Sequence, residues 1–127
     1  DGEQFVELAT CQDYKRALDH DRGPNTGGMG TYSPSAYLDE ETRRWIAESL
    51  VRPTILGLAS EGMPYRGVLY VGLMIEDGAP RLVEYNARWG DPECQVLMMR
   101  LGAQALDLML AAAAYKFKKL MRQLMHT

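Results

Sequence analysis

The run Arg81-Leu-Val-Glu84-Tyr-Asn86-Ala-Arg88-Trp-Gly-Asp91-Pro-Glu93 joins a strand pattern to a turn crowded with charge. Its first half alternates, placing Val83 and Tyr85 on one face of a strand and Leu82, Glu84 and Asn86 on the other. Glu84 and Asn86 then point the same way. A carboxylate beside an amide carbonyl is a hard, oxygen-only pair suited to Mg²⁺. Arg88, a turn at Gly90, and Asp91 follow at once, and cation ligands next to a guanidinium suggest a site that handles phosphate. Taken alone, the Glu-x-Asn pair reads better as the solvated polar face of a strand ending in a loop salt bridge, because such pairs are common.

The neighbouring sequence completes the fold. Val68–Ile75 carries Leu69, Val71, Leu73 and Ile75 on one face, and Glu76-Asp-Gly-Ala-Pro80 is a turn with an Asp-Gly centre. With Arg81–Asn86 this predicts an antiparallel hairpin whose apolar face lies under helices. Asp39 is placed to cap a helix starting at Glu40, with Trp45, Ile46 and Leu50 on its apolar side. Pro53 predicts a kink or break, Gly62 an end, and Pro64 a block to resumption. Trp45 is expected in the core or at an interface. Gln4–Ala9 reads as a short strand, ended by the polar segment Thr10–Arg16. Asp91 and Pro92 suit a helix start, with a break at Gly102 and a second helix through Leu106, Met109, Leu110 and on to Leu124. The expected class is α+β, a mostly antiparallel sheet with helices packed on one face.

Gly23-Pro-Asn25-Thr26-Gly27-Gly28-Met29-Gly30 is the second motif. No Lys-Ser/Thr follows its last glycine, so it is no Walker A loop, and its glycine spacing is not that of a dinucleotide fingerprint. Its glycines permit positive φ and close approach of backbone N–H groups to an anion, while Asn25 and Thr26 add side-chain hydrogen bonds. The segment is expected to be irregular as far as Pro34. Lys15 and Arg16, solvated charges by themselves, become phosphate partners beside such a loop.

At 127 residues and 14.3 kDa the chain has room for one domain with a modest core. Fourteen basic against 17 acidic residues give a net charge of −3, which argues against a general nucleic-acid binder. The two cysteines, Cys11 and Cys94, form no C-x-x-C pair, and no apolar run is long enough to cross a membrane. A reducing cytoplasm is the expected compartment.

Taken together, Gln12-Asp-Tyr-Lys15-Arg16, Asp21-x-Gly-Pro-Asn-Thr-Gly-Gly-Met-Gly30 and Glu84-x-Asn-x-Arg-x-Gly-Asp-Pro-Glu93 resemble the glycinamide ribonucleotide synthetase (phosphoribosylamine–glycine ligase) family of ATP-grasp enzymes. The resemblance runs from about Asp1 to Ala113 and includes Tyr32-Ser-Pro34, Arg52-Pro-Thr54 and Gly67-x-Leu-Tyr-x-Gly-Leu-Met-Ile75. Departures at Cys11, Tyr14, Tyr85, Trp89 and Cys94 remove no charged or metal-binding group.

The resemblance implies the carboxy-terminal half of an ATP-grasp domain over residues 1–114, with 115–127 an amphipathic basic helical tail of uncertain origin. It implies ligation of glycine to 5-phosphoribosylamine with ATP and Mg²⁺ or Mn²⁺, through a glycyl phosphate. The metal falls to Glu84 and Asn86. Arg88 and Asp91 serve catalysis, with Gly90 at the glycine end. Lys15, Asn25, Thr26, Gly27 and Gly28 face the phosphoribosylamine. The remainder of the enzyme, including the lysines that hold ATP, is the expected partner, without which this segment is expected to be inactive. The alternative is a non-catalytic remnant that binds a phosphosugar, a nucleotide or a partner. Neither nucleic acid nor membrane is expected as a partner.

Overall fold

Two antiparallel hairpins and a helical segment between them carry the chain in a computed structural model that describes residues 2–107 and 110. The chain divides into two compact units after Leu97. In the first, strands β1 (Gln12–Leu18) and β2 (Arg22–Tyr32) pair with each other, and β3 (Tyr70–Glu76) pairs with β4 (Ala79–Asn86). Between the hairpins lie helix α1 (Glu40–Ile46), a π turn (Ala47–Val51) and helix α2 (Arg52–Ser60). Helix α3 (Glu93–Leu101) follows β4. Among the described residues all strand pairing is antiparallel, as expected for the α+β class, but it forms two separate two-stranded sheets.

Local signals determine the middle of the chain. Asp39 caps α1, its carboxylate accepting the Thr42 N–H at 2.8 Å. The expected kink or break at Pro53 falls where the α-helix is interrupted, since α2 starts at Arg52 with Pro53 in its first turn. A π turn precedes α2, with the Arg52 N–H bonded to Ala47 O, and α2 continues through the proline. Gly62, at φ +76, ends α2: its N–H bonds to Ala59 O at 3.0 Å and the Met63 N–H to Leu58 O at 2.9 Å, the paired bonds of a Schellman motif. The β3–β4 turn is the two-residue Asp77-Gly78, both at positive φ (51° and 77°), which matches the twist of the flanking strands.

Four expectations about the strands change. Residues 4–9 form no strand, and the segment Thr10–Arg16, read as a polar break, runs into β1 (Gln12–Leu18). The glycine segment is likewise strand, because it pairs with β1 from Leu18↔Arg22 to Gln12↔Tyr32. Its irregularity survives as a bulge: Arg16 pairs with Asn25 and Tyr14 with Gly30, which leaves residues 26–29 looping out of register. In the other hairpin, Gly72 pairs with Glu84 but Leu73 with Leu82, so Val83 is the extra residue. One extra residue reverses the alternation, and Leu82 joins Val71, Leu73 and Tyr85 on the opposite face from Glu84 and Asn86.

The Tyr85 face meets the helical segment. The hydroxyls of Thr54 and Tyr85 lie 2.8 Å apart, and each also reaches Leu50 O, at 2.7 and 3.3 Å. Ala47, Ile55 and Leu97 are the buried apolar residues among those described. Trp45, expected in the core or at an interface, is 47% exposed. Helix α3 begins at Glu93, one residue later than a Pro92 start, and Gly102 ends it at φ +52. Residues 104–107 and 110 are helical; residues 108–109, the rest of the expected second helix beyond 110 and the 115–127 tail lie outside the described residues. Among the described residues, no helix is long and apolar enough to cross a membrane.

Candidate functional site

An open cleft of about 610 Å³ is lined by Gly27, Gly28, Arg88, Trp89, Asp91 and Pro92. It unites the two sequence motifs. The cause is visible at Gly28, where φ is +142 and a side-chain carbon would stand 2.7 Å from Pro92 Cδ and 3.3 Å from Asp91 O. Only a residue without Cβ lets the bulge of β2 lie this close to the Asp91–Pro92 turn.

Of the residues singled out from sequence, Gly27, Gly28, Arg88 and Asp91 line the cleft. Arg88 is exposed and donates to its neighbour's carbonyl, Trp89 O, at 2.9 Å. Asp91 accepts from Gln95 Nε2 at 2.8 Å. Gly90 is buried behind the cleft wall. Thr26 is engaged inside the hairpin: its hydroxyl donates to Lys15 O at 2.9 Å and accepts the Gly28 N–H at 3.2 Å. That hydroxyl therefore holds the bulge in shape. Asn25 sits in the ladder opposite Arg16, whose guanidinium donates to Gly23 O at 2.8 Å. The Lys15 ammonium, half-exposed, lies 3.3 Å from Asp13 Oδ2.

Glu84 and Asn86 share a face by register, opposite Gly72 and Tyr70. A side chain at Gly72 would stand 3.0 Å from Glu84 Cγ, so this glycine leaves room for the Glu84 carboxylate. Both side chains supply hard oxygen donors. Among the described residues neither makes a hydrogen bond or ion pair, and no group of three or more His, Cys, Asp or Glu gathers at metal-binding spacing. The donor chemistry of the pair fits an oxygen-seeking dication.

Three residues near the site were given no role of their own by the sequence, although Asp13 and Glu93 stand in its motifs. Glu93 is buried, at 5% exposure, and accepts the Tyr70 hydroxyl at 3.0 Å. Burial, with the Glu93 carboxylate beside it, pushes the Tyr70 phenol well above its usual range. Asp13 is the third: its side chain is 9% exposed, and neither of its oxygens has a hydrogen-bond partner. The one signal available beforehand was the repeated acid after Pro92, which alternation and spacing do not distinguish from a solvated helix start.

Residues 1–94 match the family model for the ATP-grasp (A) domain of phosphoribosylglycinamide synthetase. The chain is 54% identical over 113 residues to the phosphoribosylamine–glycine ligase of Vibrio parahaemolyticus, covering 88% of this chain and 26% of that protein. It is 53% identical over 114 residues to the chloroplastic phosphoribosylamine–glycine ligase of Arabidopsis thaliana, covering 88% of this chain and 21% of that protein. The crystal structure of phosphoribosylamine–glycine ligase from Thermotoga maritima superposes with a TM-score of 0.69 at 49% identity, over 77% of this chain and 25% of that one. The chain spans about a quarter of the length of these relatives.

Proposed function

The chain belongs to the phosphoribosylglycinamide synthetase ATP-grasp family, and from that premise we propose that it carries part of the site of an ATP-dependent ligase joining glycine to 5-phosphoribosylamine. The products are glycinamide ribonucleotide, ADP and phosphate. Glycine is activated as a glycyl phosphate, which the amine attacks. Such chemistry needs charge control and alignment, with no protein nucleophile. The observation that carries this reading is the contact of Gly28 with the Asp91–Pro92 turn, which brings the glycine bulge and the Arg88–Asp91 turn to one cleft.

Glu84 and Asn86 are the residues that would hold Mg²⁺ or Mn²⁺, and the dication would neutralise charge on the phosphates. Arg88 presents a fork of donors to phosphate or acyl-phosphate oxygens. Asp91, held by Gln95, and Gly90 shape the glycine end. Gly27 and Gly28 give the phosphoribosylamine a surface without side chains, with Lys15, Asn25 and Thr26 behind and beside it. The rest of the ATP site belongs to the longer protein, and the 127-residue chain alone is inactive.

The test is Glu84→Gln in the full-length protein that carries this segment. Removing a ligand and a negative charge should cost on the order of 10²-fold in turnover and shift the magnesium dependence upward, with unchanged circular dichroism. Normal turnover and magnesium dependence would return Glu84 to a solvated strand face.

A further inference from the structure

The aromatic ring of Tyr70 lies between two glycines. A side-chain carbon at Gly72 would stand 3.2 Å from Tyr70 Cε1, and one at Gly90 would stand 2.8 Å from Tyr70 Cε2. On the Gly72 side, the ring has Glu84 for a neighbour. On the Gly90 side, its hydroxyl reaches Glu93 Oε1, while Glu93 Oε2 occupies the place that a Gly90 side chain would fill. The Cys94 N–H closes the same turn onto Gly90 O at 2.9 Å. Gly90 and Glu93 are both buried, so the turn has little freedom to relax around either.

Resting on the reading of Glu84, Arg88 and Asp91 as site residues, we propose that Tyr70 and Glu93 are positioning residues that lock the Arg88–Asp91 turn to the strand face bearing Glu84. Neither lines the cleft. The ring sets the spacing between the two glycines, and the hydroxyl–carboxylate bond stops the turn from lifting away. The consequence is that the metal pair and the guanidinium keep one relative placement through the reaction. Alignment of this kind is worth far more in turnover than in binding, since a misplacement of about 1 Å can cost roughly 10²-fold.

The experiment uses the full-length protein with Tyr70→Phe, Glu93→Gln, the double variant, and Arg88→Lys in parallel. Tyr70→Phe keeps the ring but leaves a buried carboxylate without its donor. It should lower kcat by about 10-fold or more while KM for both substrates moves less than about threefold. Glu93→Gln keeps an acceptor for the hydroxyl and should be milder. In the Tyr70→Phe background the same change should restore activity, because an unpaired amide is less costly to bury than an unpaired carboxylate. Amide exchange at Cys94 should quicken by about 10-fold in Tyr70→Phe, with Thr42 and Arg43 unchanged. Wild-type kcat together with unchanged Cys94 exchange in Tyr70→Phe overturns the proposal. So does a loss confined to KM, or one that Glu93→Gln does not relieve. If Arg88→Lys also keeps wild-type kcat, the site reading itself fails; if only Arg88→Lys is impaired, the lock alone fails.

Discussion

Gly28 and Pro92 are in contact, and the contact requires that one of them be glycine: a Cβ at position 28 would stand 2.7 Å from Pro92 Cδ. Two motifs remote in sequence thus share a cleft because one side chain is missing. The first prediction tests that contact. Gly28→Ala adds the clashing carbon at a φ of +142, which L side chains rarely adopt. It should cost about 1–3 kcal/mol of stability, read as a lower urea midpoint at constant slope. An unchanged midpoint would mean that β2 and the turn are not packed together.

Arg88 is exposed, and its hydrogen bond runs to the adjacent Trp89 carbonyl, so the fold does not depend on it. Arg88→Lys keeps the charge but loses the planar fork. In the full-length protein, turnover should fall on the order of 10-fold or more while thermal unfolding is unchanged. Equal turnover would show that a point charge suffices.

Trp89 lines the cleft and Trp45 does not, and the chain has two tryptophans. A Trp45→Phe variant therefore makes Trp89 the sole indole. Its fluorescence should change on adding 5-phosphoribosylamine or magnesium-ATP to the full-length protein, provided the remaining tryptophans there are also replaced. Gly28→Ala should blunt the response. A silent Trp89 beside ordinary turnover would place the ligands elsewhere.

The hydroxyls of Thr54 and Tyr85 join the helical segment to the β3–β4 hairpin, 2.8 Å apart. Tyr85→Phe should cost about 1 kcal/mol, and Thr54→Val a similar amount. Because the two share Leu50 O, the double variant should cost less than the sum of the singles. Strict additivity in chemical unfolding would show that the pair does not act as one seam.

Asp39 is held below the ordinary carboxylate range by the Thr42 backbone N–H that it caps. A lowered folded-state value contributes stability above the unfolded-state value, and that contribution is lost as pH falls through the folded one. The helix signal should therefore weaken with acid below about pH 4, and Asp39→Ala should remove this dependence while lowering the melting temperature at neutral pH. An Asp39→Ala profile that still follows the wild type in acid would assign the transition to another carboxylate.

The Asp77-Gly78 hairpin, the Asp39 cap and the Gly62 stop were all legible in the sequence, because each depends on residues within a few positions of one another. A two-residue turn, a side chain reaching the next N–H groups and a glycine at positive φ carry their cause with them. Glu84 and Asn86 were likewise placed on one face, since the alternation holds from Glu84 onward.

Tertiary structure alone decided the rest. The bulge at Val83 turned Leu82 to the Tyr85 face, because register depends on the partner strand and one extra residue reverses every side chain beyond it. The glycine segment became strand because Gln12–Leu18 was there to pair with it, and Thr26, read as a ligand contact, has its hydroxyl bonded to Lys15 O and the Gly28 N–H. The union of Gly28 with Pro92, and of Tyr70 with Glu93 across Gly90, has no sequence period at all. Such contacts arise from how the two hairpins and the Arg88–Glu93 turn meet within the first unit. A linear pattern records which residues are small or charged, but not which distant backbone fills the space that a missing side chain leaves.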